Sequence, residues 1–238
     1  MRKLIRIVDC ETTGMDPAAG HVVVEIGTCD VYDDGQGWQV GRPVSQLYFA
    51  AEIPPEVRAV HHITAADVAQ CRPFDPRMFW GDQVGDNVGI VASHNMEFDS
   101  KFLGTPETRL ICTLKSAYRV WPEAPAHNNG TLRYWLEDQG LIAPVAEFTQ
   151  PAHRAGADAY VTAWIMVALL KRTTAREMEA WTRSPTLLPR CPIGEHRGKP
   201  WDQVDEGFLR WMTDKRGMEA ELVWNAQREL ERRRSLVT

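Results

Sequence analysis

The apolar run Leu4-Ile-Arg-Ile-Val8 leads directly into two acids two residues apart, Asp9 and Glu11. So short and β-rich a run reads as a central strand that delivers its acids at the carboxyl end, the edge where open α/β sheets bind ligands. Positions i and i+2 of a strand leave the same face, so the two carboxylates are able to converge on one cation. Hard divalent ions such as Mg2+ prefer oxygen donors of this kind. An exposed strand end explains an isolated Asp-x-Glu equally well, so the pair takes its meaning from acids farther along the chain.

Thr12-Thr-Gly-Met15-Asp-Pro17 has turn composition, and its hydroxyls and glycine let backbone N–H groups approach a phosphate or sugar. Residues 22–31 and 44–49 read as the second and third strands. Pro54-Pro55 opens a short helix, and Thr64-Ala-Ala-Asp67 has the form of a capping box. A fourth strand, 88–93, runs into His94-Asn95-Met-Glu-Phe98-Asp99. Residues 98–103, 114–120 and 132–139 read as helices, and 157–172 as a long apolar one. The pattern predicts an α/β domain with a central sheet flanked by helices.

The third acidic fragment is His153-Arg-Ala-Gly-Ala-Asp158. Asp9, Glu11, Asp99, His153 and Asp158, in that order, match the needs of a two-metal phosphodiesterase: acids to hold cations and an imidazole that titrates near neutrality to take a proton from water. The glycine and alanines around position 156 read as a link that lets His153 swing over the site. Bland explanations stand beside each. Asp158 near a helix start is favoured by the macrodipole alone, and His94 and Asn95 have ordinary turn chemistry.

Apolar runs fall well short of the ~20 residues of a membrane span, and the first one leads straight into the acidic motif without the form of a signal peptide. Five widely spaced cysteines with no Cys-x-x-Cys pair fit a reduced compartment, and the expectation is a cytoplasmic protein with no membrane partner. The net charge of −5 argues against a generic basic nucleic-acid binder. Its distribution is uneven: residues 1–100 hold 7 basic and 15 acidic side chains, residues 181–238 hold 11 and 9. The acid is concentrated where the site is expected.

These motifs resemble the DEDDh (DnaQ-like) exonuclease superfamily over about residues 1–172: Asp-x-Glu, then Asp, then His with Asp five residues later. The resemblance implies a ribonuclease H-like fold with a mixed sheet, and two Mg2+ ions for which Mn2+ substitutes. It implies Asp9 as the acid bridging both ions, Glu11 and Asp158 as further ligands of the first, Asp99 as a ligand of the second through water, and His153 as general base. Glu56 and His61 match the segment that touches the terminal nucleotide, and Met15 the apolar contact to its base; Thr12 and Asn95 complete the expected substrate contacts. A surface histidine and an exposed turn methionine are the competing readings of His61 and Met15.

Within that superfamily the segment 110–122, together with Pro192-Ile-Gly-Glu-His-Arg-Gly-Lys199 and Phe208-Leu-Arg-Trp211, is similar to the exonuclease X group; Ile193 and Glu195 depart from its pattern. The expectation is an exonuclease domain over 1–183 and a small α/β appendage over 184–238, in which 193–199 has hairpin composition. The implied activity is 3′-5′ hydrolysis of single-stranded or frayed DNA ends to 5′-mononucleotides, in DNA repair. An exoribonuclease of the same superfamily and a proofreading-type module on a polymerase are the alternatives. Gln46-Leu-Tyr-Phe49 has a faint likeness to a sliding-clamp peptide, but a place inside a strand argues against clamp or polymerase contact.

Overall fold

The computed structural model describes residues 4–84, 88–104 and 108–236. The outer ends of both expected domains, 1–3 and 237–238, lie outside the described residues. Strand β1 (Leu4–Thr12) pairs antiparallel with β2 (Val23–Asp33), which also pairs antiparallel with β3 (Trp38–Val40) and β4 (Val44–Leu47). Three short helices, α1 (Pro55–His61), α2 (Ala65–Val68) and α3 (Pro76–Met78), and a π turn at Phe79–Val84 precede β5 (Ile90–Ser93), which lies parallel to β1. Helix α4 (Met96–Leu103) returns the chain to β6 (Arg109–Cys112), parallel to β5. The sheet order is β3-β2-β1-β5-β6 with β4 beside β2, a mixed sheet as expected. Helices α5 (Thr113–Val120), α6 (Asn129–Asp138), α7 (Ala155–Leu170) and α8 (Ala175–Arg183) follow, then α9 (Glu206–Asp214) and α10 (Ala220–Ser235).

The two-residue period of the strands divides the core. Ile5, Ile7, Cys29 and Val31 face α7, whereas Val8, Cys10 and Ile26 face Phe79, Met96 and Phe102. Helix α7 is apolar on nearly every side because it lies between the sheet and helices α5 and α6. Ile7 is fully buried at its centre, so Ile7→Ala costs about 2–5 kcal/mol.

Strand β1 does not stop at Asp9, as its apolar run indicated. Pairing with β2 continues to Thr12 opposite Val23, with a register shift between Glu11 and Thr12. The acids thus sit within the ladder, with Asp9 opposite Gly27 and Glu11 opposite Glu25. Strands β3 and β6 and helix α8 extend the expected set. The two strands have three and four residues, too short for a visible alternation.

The C-terminal unit is helical, not α/β. Among its described residues the only β pairing is the bridge Arg190↔Pro200, and residues 193–199 form a 3-10 turn at Gly194–His196 in place of a hairpin. Left-handed Gly194 and Gly198 turn the chain as a hairpin would, but Phe208 packs against Gly194, and the flanking residues join the α9–α10 core of Leu209, Met212, Leu222 and Ala226. All five cysteines are free. No helix of the described residues is long and apolar enough to cross a membrane.

Candidate active site

Asp9 and Glu11 project from one face of β1, and Asp158 meets them from the first turn of α7; one oxygen from each of the three lies within 4.8 Å of the others. Asp99, in the first turn of α4 and buried, receives hydrogen bonds from the side chains of Ser93 and Cys10. Its charge is the strongest of the neighbouring charges acting on Asp9.

Burial pushes the Asp9 carboxyl well above the usual range, and Asp99, Asp158, Glu11 and Glu25 push it further in that order. Glu11 is raised to about 8 by burial, then by Asp158, Glu25 and Asp99. Burial raises Asp99 to about 7 against its own hydrogen bonds, and raises Asp158 against the opposing influence of His153. So many desolvated acids repel one another unless protons or a cation intervene. All the donors are hard carboxylate oxygens, and a divalent cation offsets both burial and repulsion, so the residues fit such an ion.

His153 is exposed and held in the left-handed region at φ 58°, and its backbone N–H donates to Asp158 Oδ2 at 3.1 Å. It is separated from α7 by Arg154 alone. The expected flexible link is absent, because Gly156 and Ala157 already belong to the helix. Their small size serves packing instead. A Cβ on Gly156 would meet Ser45 Oγ at 2.3 Å, and one on Gly27 would meet the Ala155 carbonyl at 2.0 Å. The helix start is therefore pressed against the backbone of β2.

Glu25 and Arg154 were not expected at the site. Glu25, almost wholly buried in β2, accepts two bonds from the Arg154 guanidinium at 2.9 Å and one from the Ala155 N–H at 3.0 Å. The signal was present: a single acid inside the apolar run Val22-Val-Val-Glu25-Ile, which a buried strand tolerates only with a partner.

His61 is not a surface histidine. It is 1% exposed, its Nδ1 accepts from the Ile63 N–H at 3.0 Å, and burial lowers its pKa. A backbone group of Thr12 lies beside it, so α1 does reach the motif turn. The Thr12 hydroxyl donates to the Gly14 carbonyl at 2.6 Å and shapes that turn. Met15 beyond it is 71% exposed, Glu56 stands exposed in the first turn of α1, and Asn95 is exposed at φ 92°. Its neighbour His94 is structural. Burial lowers its pKa to about 4, so the ring is neutral; Nε2–H donates to the His127 carbonyl at 2.6 Å, and Nδ1 accepts from the Thr113 hydroxyl at 2.9 Å. Those bonds anchor the segment that leads to Asp99.

Residues 7–166 match the exonuclease family model RNase_T, a span that contains all five motif residues. The chain belongs to this exonuclease family. Among curated relatives the exonuclease is 30% identical over 218 residues to exodeoxyribonuclease 10 of Escherichia coli K12, covering 88% of this chain and 90% of that one. It is 28% identical over 210 residues to a putative bifunctional exonuclease/endonuclease protein of Mycobacterium tuberculosis, covering 78% of this chain and 30% of that one. Among solved structures, exonuclease X in complex with 5′ overhanging duplex DNA aligns at a TM-score of 0.60 and 28% identity, over 75% of this chain and 99% of that one. The Escherichia coli ExoI–single-stranded DNA complex aligns at 0.52 and 14% identity, over 74% of this chain and 42% of that one, and supports the fold alone.

Proposed function

We propose that this exonuclease hydrolyses DNA from the 3′ end, releasing 5′-mononucleotides, with Asp9, Glu11, Asp99 and Asp158 holding divalent metal and His153 as general base. The observation that carries the reading is the convergence of three acids from β1 and α7 with His153 tethered by its own N–H to one of them. Two Mg2+ ions, when bound, make water more acidic and stabilise the attacking and leaving oxygens of an in-line displacement. The chain's own part is to place and deprotonate. The exposed His153 imidazole takes the proton of the attacking water at a ring nitrogen, and Asp158 fixes the backbone from which that ring projects. Exposed Met15 offers a flat apolar contact to the terminal base, a contact that tolerates any sequence. Thr12, Glu56, His61 and Asn95 are the further substrate contacts in this reading, and of these Thr12 shapes the motif turn and His61 lies beside it.

DNA as substrate is supported by the exodeoxyribonuclease name of a relative matched along nearly its whole length and by the DNA in the exonuclease X complex. Turnover of sequence-matched DNA and RNA oligonucleotides, labelled at the 5′ or the 3′ end and supplied with Mg2+, tests the reading. The expected result is a ladder from 5′-labelled DNA that shortens one nucleotide at a time. Cleavage of RNA alone, or products that begin from the 5′ end, would overturn it.

A further inference from the structure

Glu25 presents a chemical puzzle. It stands directly opposite Glu11 in the β1–β2 ladder, so both carboxylates leave the same face of the sheet, and its charge raises the pKa of Asp9, Glu11 and Asp158 alike. A further acid there works against the cluster unless it has other work. Its three acceptor bonds show that work, since all go to two consecutive residues, the Arg154 guanidinium and the Ala155 N–H.

Those two residues join His153 to α7. Glu25 thereby fastens the chain on the C-terminal side of His153, while the His153 N–H bond to Asp158 fastens His153 itself. Between these ties the backbone is held in the left-handed region, which histidine adopts only when its surroundings require it. Gly27 and Gly156 make the arrangement possible by bringing the start of α7 onto β2 and β4 respectively at contact distance. A cavity of about 300 Å³, lined by Glu25, Ser45, Glu147, Gln150 and Arg154 among others, borders the pair.

We infer that Glu25 and Arg154 form a positioning pair for His153: by tying residues 154–155 to β2 they set where the imidazole stands relative to the acids. The inference rests on the reading of His153 as general base. A bidentate guanidinium–carboxylate pair fixes orientation as well as distance, which an ammonium does not reproduce. Neither residue is a catalytic residue in the sense of touching substrate.

The test uses the full chain with Arg154→Lys and Glu25→Gln, each made alone and in a His153→Ala background. Saturating DNA turnover and Mn2+ affinity are measured for every variant. Glu25→Gln keeps the acceptor for Ala155 N–H and removes the charge; Arg154→Lys keeps the charge and removes the fork. We expect each to lower kcat by about 10- to 100-fold, the cost of an ångström-scale misplacement, with Mn2+ affinity and oligonucleotide KM within about threefold of the parent. In the His153→Ala background neither should lower kcat further, because a residue that acts through another is silent once that other is gone. The same loss in both backgrounds, a loss of Mn2+ affinity in step with kcat, or undiminished kcat would each overturn the pair's role. If instead His153→Ala alone turns over DNA at the parental rate, it is the base assignment that falls.

Discussion

The backbone N–H of His153 donates to Oδ2 of Asp158 at 3.1 Å, so the imidazole and the acid cluster are joined through main chain and not through the ring. A substitution at position 153 therefore removes the imidazole and keeps the tether. Asparagine is the informative replacement, since it tolerates the left-handed conformation that His153 holds at φ 58°. His153→Asn should lower kcat by roughly 10² to 10⁴, the usual loss on removing a general base, with Mg2+ affinity and thermal stability unchanged. Parental turnover by this variant would remove histidine from the mechanism.

Asp9 stands in an electrostatic conflict within the cluster. Four acids act to keep it protonated, in addition to its burial. Asp9→Asn should abolish cleavage and at the same time stabilise the metal-free protein, because it deletes a charge the fold disfavours. At pH 8 the expected rise in Tm is roughly 2 to 4 °C, equivalent to about 1 kcal/mol at this chain length. Added Mg2+ should then raise Tm less than it does in the parent. Differential scanning calorimetry with and without EDTA decides the matter, and a lower Tm for the metal-free variant would contradict it.

The acids and the sheet are legible in sequence for one reason and the helix junction illegible for another. Asp9, Glu11, Asp99, His153 and Asp158 announce themselves because a fixed order of ionisable residues in local turn and strand contexts is rare, and the β1 and β2 runs are long enough to show their period. Gly156 suggests flexibility in sequence because its packing role depends on Ser45, more than a hundred residues away. His61 passes for a surface group since nothing local says that α1 folds under the motif turn and buries it. Glu25 is visible as a charge in an apolar run, but its partner Arg154 is 129 residues distant. The appendage misleads differently: glycine-rich turn composition there is shared by a hairpin and by a 3-10 turn, and the packing of Phe208 on Gly194 selects the latter.

Metal and pH should be linked with a definite sign. In the metal-free fold Glu11 holds its proton to about pH 8 and Asp99 to about pH 7, whereas the unfolded chain releases both near their ordinary values. Over that interval the folded state binds more protons, so these groups stabilise the fold at low pH and the contribution is lost as pH rises through the folded values. A cation takes the place of the protons. The Tm increment produced by Mg2+ should therefore grow steadily from pH 5 to pH 8. His94 acts in the opposite sense, its depressed pKa of about 4 costing stability as pH falls, but it contributes equally with and without the ion and cancels from the increment. An increment that is level or shrinks across this range would show that the acids are already ionised in the metal-free protein.

Gly27 joins stability to catalysis at one atom. A Cβ at this position would fall 2.0 Å from the Ala155 carbonyl, and the obstacle is backbone at a helix start, which cannot rotate aside. Helix α7 would have to move off β2, and the first contacts to lengthen would be those from Glu25 to Arg154 and Ala155. Gly27→Ala should therefore cost about 1–3 kcal/mol, as overpacking generally does, and lower kcat by more than the folded fraction explains. Gly89→Ala is the matched control. Its Cβ would meet only the Leu4 carbonyl at 3.9 Å, an ordinary contact, so the change in stability should stay within about 0.5 kcal/mol and kcat should be parental. Urea unfolding and saturating turnover on the same two samples give the comparison. If Gly27→Ala loses stability while the folded protein keeps parental kcat, the seat of α7 on β2 matters for folding alone and the site tolerates its displacement.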